Sequence, residues 1–353
     1  MNTMNNNTPI LVTGATGYIA GWIIKELLEQ GNTVHATVRS PLNTQSFSHL
    51  NEIASQTKGT LKIFGADLLK EGSFDEAMQG CEIVIHTASP FVVTNFKDAY
   101  QDLVKPAVEG TTNVLNSANR TSSVKKIILT SSIASTYGDA AELEHHSKSS
   151  FDEDDWNTTS SVEHQPYPYS KVAAERQAWK MQSEQSRWKL ICINPALVMG
   201  PSLTPNSKSG SIEVLQQFGT GMTIAGVPPM WMGFVDVRDV AQAHINAAFN
   251  DKAIGRYIIC ADSLSLIEIG NILRSHFGSK YPFPRFVVPK GVVCLIGPIL
   301  GYTRQFIKLN MGYKIFFNNK RSIVELNIHY RDLATSLCEH FQQMIDDGLV
   351  KKR

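Results

Sequence analysis

No sign of charge dominates this sequence. Its 33 lysines and arginines stand against 32 aspartates and glutamates, a formal net charge of +1. That balance offers no overall electrostatic footprint for nucleic acid or an anionic membrane, and neither is expected as a partner. Cysteine is scarce. Cys81, Cys192, Cys260, Cys294 and Cys338 are scattered, odd in number and never spaced as CxxC. This argues against a disulfide framework or a zinc site and for a reducing compartment. A cytoplasmic location and no bound metal are the expectations. Residues 1–8 are polar and asparagine-rich, without the basic and apolar parts of a signal peptide. Long apolar runs are missing too. Residues 291–300 read Gly-Val-Val-Cys-Leu-Ile-Gly-Pro-Ile-Leu, interrupted at Gly297-Pro298. That is well short of the ~20 residues a membrane span requires. The run is expected as a buried helix or pocket wall. Internal repeats and long low-complexity tracts are absent.

What is present is alternation. Residues 10–13, 33–38, 61–64, 82–87, 126–131 and 189–194 are β-rich apolar runs. Helical spacing fills the intervals, most clearly over 17–30, 100–118 and 172–183. Gly31 is placed as a glycine just past a helix end. Such alternation predicts an α/β fold: a doubly wound parallel sheet of Rossmann type, with a ligand crevice beyond the carboxyl ends of its strands. Past Pro195 many prolines break the pattern into short elements. A dinucleotide-binding domain is expected over residues 1–200, with a returning segment near 232–260. A smaller C-terminal substrate lobe is expected over 201–353. The polar, acidic stretch 145–161 is expected as a surface excursion.

Two motifs carry chemistry. The first is Gly14-Ala-Thr16-Gly17-Tyr18-Ile19-Ala20, directly after the first strand. Gly14 permits the tight turn. Gly17 lets backbone approach a pyrophosphate at a helix N-terminus, where free N–H groups and the helix dipole favour anions. The second strand ends in Val38-Arg39-Ser40, without the acid that would hold a free ribose. Arg39 suits a 2′-phosphate through two parallel donors, or it is a solvated surface arginine. Asp67 is placed to meet adenine or to cap a helix. The second motif is Tyr167-Pro-Tyr169-Ser-Lys171. Tyr167 and Lys171 fall one helical turn apart. A nearby ammonium favours the phenolate of a tyrosine whose ordinary pKa is about 10. Tyr169 is a rival phenol, but position 173 is alanine. Ser131 and Ser132 end the fifth strand with hydroxyls. Ser132 is expected to bond a substrate carbonyl, and Ser131 to face the cofactor.

These residues resemble the extended short-chain dehydrogenase/reductases, in the group of dihydroflavonol reductases, cinnamoyl-CoA reductases and yeast methylglyoxal (carbonyl) reductases. The matching motifs include Val12-Thr-Gly14-Ala-Thr-Gly17, Ala66-Asp67-Leu68, His86-Thr-Ala-Ser89-Pro90-Phe91, Thr130-Ser-Ser132, Asn194-Pro195 and Val235-Asp236-Val-Arg238-Asp239. The resemblance spans about residues 9 to 260. It implies Ser132, Tyr167 and Lys171 as a catalytic triad. It implies a cofactor site from Gly14, Thr16, Gly17, Tyr18, Ile19, Arg39, Asp67, Leu68, Thr87, Ala88, Ser89, Ser131, Lys171, Pro195, Ala196, Leu197 and Val198. His86, Asp236 and His244 are expected as architecture. Gln45 stands where cinnamoyl-CoA reductases have a second phosphate-binding lysine. Tyr137 stands where dihydroflavonol reductases have an asparagine.

The function implied is NADPH-dependent reduction of an apolar or aryl aldehyde or ketone, with NADP as cofactor and Tyr167 as general acid. The substrate pocket is expected from Phe91, Val92, Tyr137, Tyr169, Met222, Trp231 and part of 287–300, although Met222 and Trp231 also read as lobe core. Two other readings stay open: a sugar-nucleotide epimerase or dehydratase, and a non-catalytic cofactor sensor. A monomer or homodimer with no membrane span is expected.

Overall fold

The computed structural model describes residues 8–90, 97–205 and 209–351. The chain begins with β1 (Ile10–Thr13), α1 (Tyr18–Glu29), β2 (Thr33–Val38), α2 (Ser48–Ser55), β3 (Thr60–Gly65) and α3 (Asp75–Met78). It continues through β4 (Ile83–His86), α4 (Lys105–Arg120), β5 (Lys126–Thr130), α5 (Pro166–Ser183) and β6 (Lys189–Pro195). The second half holds β7 (Leu197–Met199), α6 (Gly210–Thr220), β8 (Trp231–Asp236), α7 (Val237–Phe249), β9 (Gly255–Ile259), β10 (Asp262–Ser265) and α8 (Leu266–Phe277). Four more helices follow: α9 (Lys290–Ile296), α10 (Arg304–Asn310), α11 (Lys320–Glu325) and α12 (Leu333–Asp346).

Seven strands form one parallel sheet in the order β3-β2-β1-β4-β5-β6-β9. The order reverses between β1 and β4, which opens a crevice at their carboxyl ends. This is the Rossmann-type α/β architecture expected. β1 and β4 are buried at every position, as a sheet covered on both faces requires. One face packs α1 and α7 through Ile23, Ile24, Leu27, Val237 and Val240. The other packs α3, α4 and α5 through Ala77, Val114, Leu115 and Ala178. Each fully buried aliphatic side chain is worth about 1.5–3 kcal/mol.

α1 stops where the glycine predicts. Gly31 adopts φ +82°. Its N–H donates to Leu28 O, and the Asn32 N–H donates to Leu27 O, both at 3.0 Å, so the last carbonyls are satisfied. A second sheet, β10-β8-β7, lies beside the first. With α6, α8 and α12 it encloses its own cluster around Phe218, Phe234, Leu273, Leu337 and Phe341.

Two expectations are corrected. Residues 145–161 are not merely a surface excursion. Phe151 is buried and bridges to Phe317, and Glu153 accepts the Ile258 N–H at 3.0 Å. The acids that made this stretch look solvated cap its own turns, as Asp155 does for the Asp152 N–H. Nor is 291–300 a buried wall. Leu295 is 79% exposed and Ile299 86%. Gly297-Pro298 interrupts the helix, so only Val293 of α9 reaches a cluster.

Candidate active site

β1 ends at Thr13, whose hydroxyl lies 2.8 Å from His86 Nδ1 and accepts the Ala88 N–H at 3.1 Å. The two strand ends are thereby locked at the reversal point. His86 is buried, and burial with the nearby Lys171 charge pushes its pKa down to about 3. It is a neutral structural residue, as is His244, which is bonded to Thr130 and held down to about 4 by burial. Asp236 is also architectural: it caps α7 and pairs with Arg238 at 2.7 Å.

Gly14 has φ +72°, and a Cβ there would meet Ala88 Cα at 2.9 Å. A Cβ at Gly17 would meet Gly14 O at 3.0 Å. Gly17 caps α1 without any side-chain cap, so first-turn N–H groups face outward. The groove in front has a volume of about 410 Å³ and is lined by Gly14, Thr16, Gly17, Arg39, Leu68, Thr87, Ala88 and Ser89 among others. A helix N-terminus without a side-chain cap, reached through a glycine turn and lying beside an exposed guanidinium, fits a phosphorylated dinucleotide.

The side chains of several expected cofactor residues are engaged within the protein. The Tyr18 phenol donates to Gly200 O at 2.5 Å and is buried, which pushes its pKa well up, so this side chain ties α1 to the β7 end. Asp67 accepts the Leu69 N–H at 2.9 Å and caps its own turn. The Thr87 hydroxyl donates to Thr13 O. Ile19 packs against the α1–α7 core. Pro195 ends β6, Leu197 and Val198 open β7, and the N–H of Ala196 between them is taken by Ile259 O.

α5 opens at Pro166 after Gln165, which adopts a left-handed conformation at φ 57°. Such a turn suits few side chains. Two buried groups hold it: Asp139 accepts from Gln165 Nε2 at 2.7 Å and pairs with His164 Nε2 at 2.8 Å. Asn310 of α10 donates to the same carboxylate. Tyr167 and Lys171 then share a face. The Lys171 ammonium lies 5.5 Å from the Tyr167 ring centre and donates to Ser89 Oγ at 3.0 Å. Ser132 caps a short turn, its Oγ accepting the Ala134 N–H at 3.1 Å. Its proton stays available to a substrate oxygen.

One turn beyond Lys171 stands a group that sequence reasoning missed. Glu175 is fully buried and pairs with buried Arg256 at 2.6 Å. Its other oxygen accepts Ser131, Ser135 and Asn194. Arg256 donates onward to Glu153 O and Asp155 O, with its guanidinium 4.0 Å from the Trp156 ring centre. Asn194 Nδ2 also donates to Ser132 O at 3.1 Å. The Ser131 hydroxyl proton is therefore directed to Glu175. The missed signal was helical spacing: positions 167, 171 and 175 lie on one face.

Of the expected substrate pocket, Tyr137 and Trp231 meet on one cluster with Phe151 and Ile315, whereas Tyr169 and Met222 lie elsewhere. Phe91 and Val92 lie outside the described residues. Tyr137 stacks on Phe151 and touches Phe317, and burial pushes its phenol far up. Tyr169 is two positions from Tyr167, about 200° around the helix. It faces a groove between α4 and α5 with Tyr100 and Lys180. Met222 is 74% exposed, and Trp231 is half-buried beneath the Lys314 ammonium. Among the described residues no helix is long and apolar enough to cross a membrane.

Residues 10–260 match the sequence profile of the NAD dependent epimerase/dehydratase family. Over 343 residues the chain is 37% identical to a tetraketide alpha-pyrone reductase of Arabidopsis thaliana, covering 97% of this chain and 96% of that one. It is 38% identical over 282 residues to a cinnamoyl-CoA reductase of Medicago truncatula, covering 79% and 84%. Among solved structures, yeast methylglyoxal/isovaleraldehyde reductase complexed with NADPH superposes with a TM-score of 0.77 at 26% identity, covering 97% of this chain and 100% of the other.

Proposed function

The chain belongs to the NAD-dependent epimerase/dehydratase family, as an extended short-chain dehydrogenase/reductase, and from that premise we propose that it reduces an aldehyde or ketone to an alcohol with Tyr167 as general acid. It is an NADP-dependent oxidoreductase: its relatives are named reductases, and one with the same architecture is bound to NADPH. The observation that carries the proposal is the joining of the two motifs. Lys171, beside Tyr167, bonds Ser89 on the rim of the groove in front of Gly14 and Gly17.

Each side chain then has a role. Gly14, Thr16 and Gly17 receive the pyrophosphate, and Arg39 the 2′-phosphate. Bound NADPH supplies the hydride. Ser132 donates a hydrogen bond to the carbonyl oxygen and so stabilises the charge that grows there. Tyr167 gives that oxygen its proton, and the Lys171 ammonium stabilises the phenolate left behind.

The epimerase reading differs in its substrate, which carries a diphosphate. A structure holding UDP-glucuronic acid and NAD shares this fold at 19% identity and a TM-score of 0.69, which speaks to the fold alone. Tyr167→Phe decides the mechanism. We expect kcat for aldehydes to fall by about 10²-fold or more, with NADPH binding by fluorescence unchanged. Near-normal turnover would remove Tyr167 as the acid. Titration with UDP-sugars is the control, since tight binding there without aldehyde turnover would favour epimerisation.

A further inference from the structure

The balanced net charge conceals a polarity. Between Glu268 and Glu325 there is no acidic residue, while nine lysines and arginines occur. The rest of the chain carries 24 cations against 32 anions. Of the nine, only Arg321 is paired with a carboxylate, Glu325, among the described residues.

The centre of this stretch is a small projection. α9, a tight turn over Gly297–Leu300 and α10 fold on a cluster of Val293, Ile307 and Met311. Its apex is aliphatic and bare: besides Leu295 and Ile299, Leu300 is 65% exposed. Arg304 and Lys308 lie exposed on α10, and Lys290 sits at the start of α9 with its ammonium on Lys308 O at 3.0 Å.

We propose that this projection is a docking surface for an anionic lipid bilayer, with Leu295, Ile299 and Leu300 entering the acyl boundary and Lys290, Arg304 and Lys308 meeting headgroup phosphates. Isolated exposed apolar residues need no explanation. Three within six residues, in a stretch whose lysines and arginines, Arg321 apart, pair with no carboxylate among the described residues, form the pattern of an in-plane membrane contact. Nucleic acid is disfavoured, because the most exposed side chains of the turn, Leu295, Ile299 and Leu300, are aliphatic, while Tyr302 and Phe306 are stacked on one another. This surface lies outside the proposed reaction, and either can fail without the other.

Co-sedimentation with vesicles tests it. Wild-type protein should pellet with phosphatidylcholine vesicles containing phosphatidylglycerol and stay largely in solution with pure phosphatidylcholine. Salt at 1 M, which shortens the screening length to about 3 Å, should release it. A cation near an anionic surface changes partitioning roughly fivefold, so Arg304→Glu with Lys308→Glu should reduce binding by more than tenfold. Leu295→Ser with Ile299→Ser should do the same while thermal unfolding and aldehyde turnover report an intact protein. Wild type remaining in solution with anionic vesicles overturns the proposal, as does equal binding to neutral ones. A vesicle-free dimer that the serine variant dissolves would assign the face to a second copy of this chain instead.

Discussion

At the scale of single residues, cofactor choice rests on Arg39. It is exposed on the rim of the groove, and its own strand ends without an acid. Hydrogen bonds to a charged group are worth about 1.5–3 kcal/mol. Arg39→Ala should therefore lower kcat/KM for NADPH by roughly 10- to 100-fold and leave NADH nearly unchanged. An equal loss with both cofactors would reassign Arg39 to the fold. The residues legible in the sequence were those whose chemistry follows from chain-local spacing. Tyr167 and Lys171 meet because they are four apart, and Gly14 must be glycine because φ is positive. The side-chain partners of Ser131, Tyr18 and Thr87 were not legible, because Glu175, Gly200 and Thr13 lie 44, 182 and 74 positions away. No local pattern reports such pairings.

At the scale of elements, α5 is the organising piece. One face of it carries Tyr167, Lys171 and Glu175, and Glu175 clamps the end of β5, the end of β6 and Arg256 of β9. Removing one partner of a buried ion pair costs about 3–5 kcal/mol, because the other is left charged and unpaired. Arg256→Met should destabilise the protein by that amount in urea unfolding. A loss under about 1 kcal/mol, the worth of an exposed ion pair, would mean that Ser131, Ser135 and Asn194 already satisfy the carboxylate. The strands and first helices were readable because buried parallel strands are continuous apolar runs and α1 has a clear stripe. Residues 145–161 and 291–300 were misread for opposite reasons. Acidic capping residues made a packed segment look solvated, and an apolar run looked buried although the fold leaves its apex bare.

At the scale of the whole molecule, buried histidines set the acid limit. His86, His244 and His340 titrate at about 3, 4 and 4 because burial disfavours their charged forms. In the unfolded chain each takes a proton near pH 6.5. Between those values the unfolded state binds more protons, so stability falls as pH falls. From pH 7 to 5 each histidine costs about 2 kcal/mol. Glu26, raised to about 7 by burial, acts with the opposite sign. It is partly solvated, so it offsets at most one of the three. The midpoint of thermal unfolding should drop clearly between pH 7 and 5, and an unchanged midpoint would contradict the buried neutral state. The two faces of the large sheet also differ in when they can exist. The buried face under α3, α4 and α5 draws on nothing beyond Cys192, whereas the face under α1 and α7 includes Leu326 and Ile328. At ribosomal speeds of about 5–20 residues per second, the second face waits roughly 7–27 s longer for its last residues. During that interval a half-built sheet presents bare valine and isoleucine to the cell, and that nascent chain, rather than the finished enzyme, is the form that needs a chaperone.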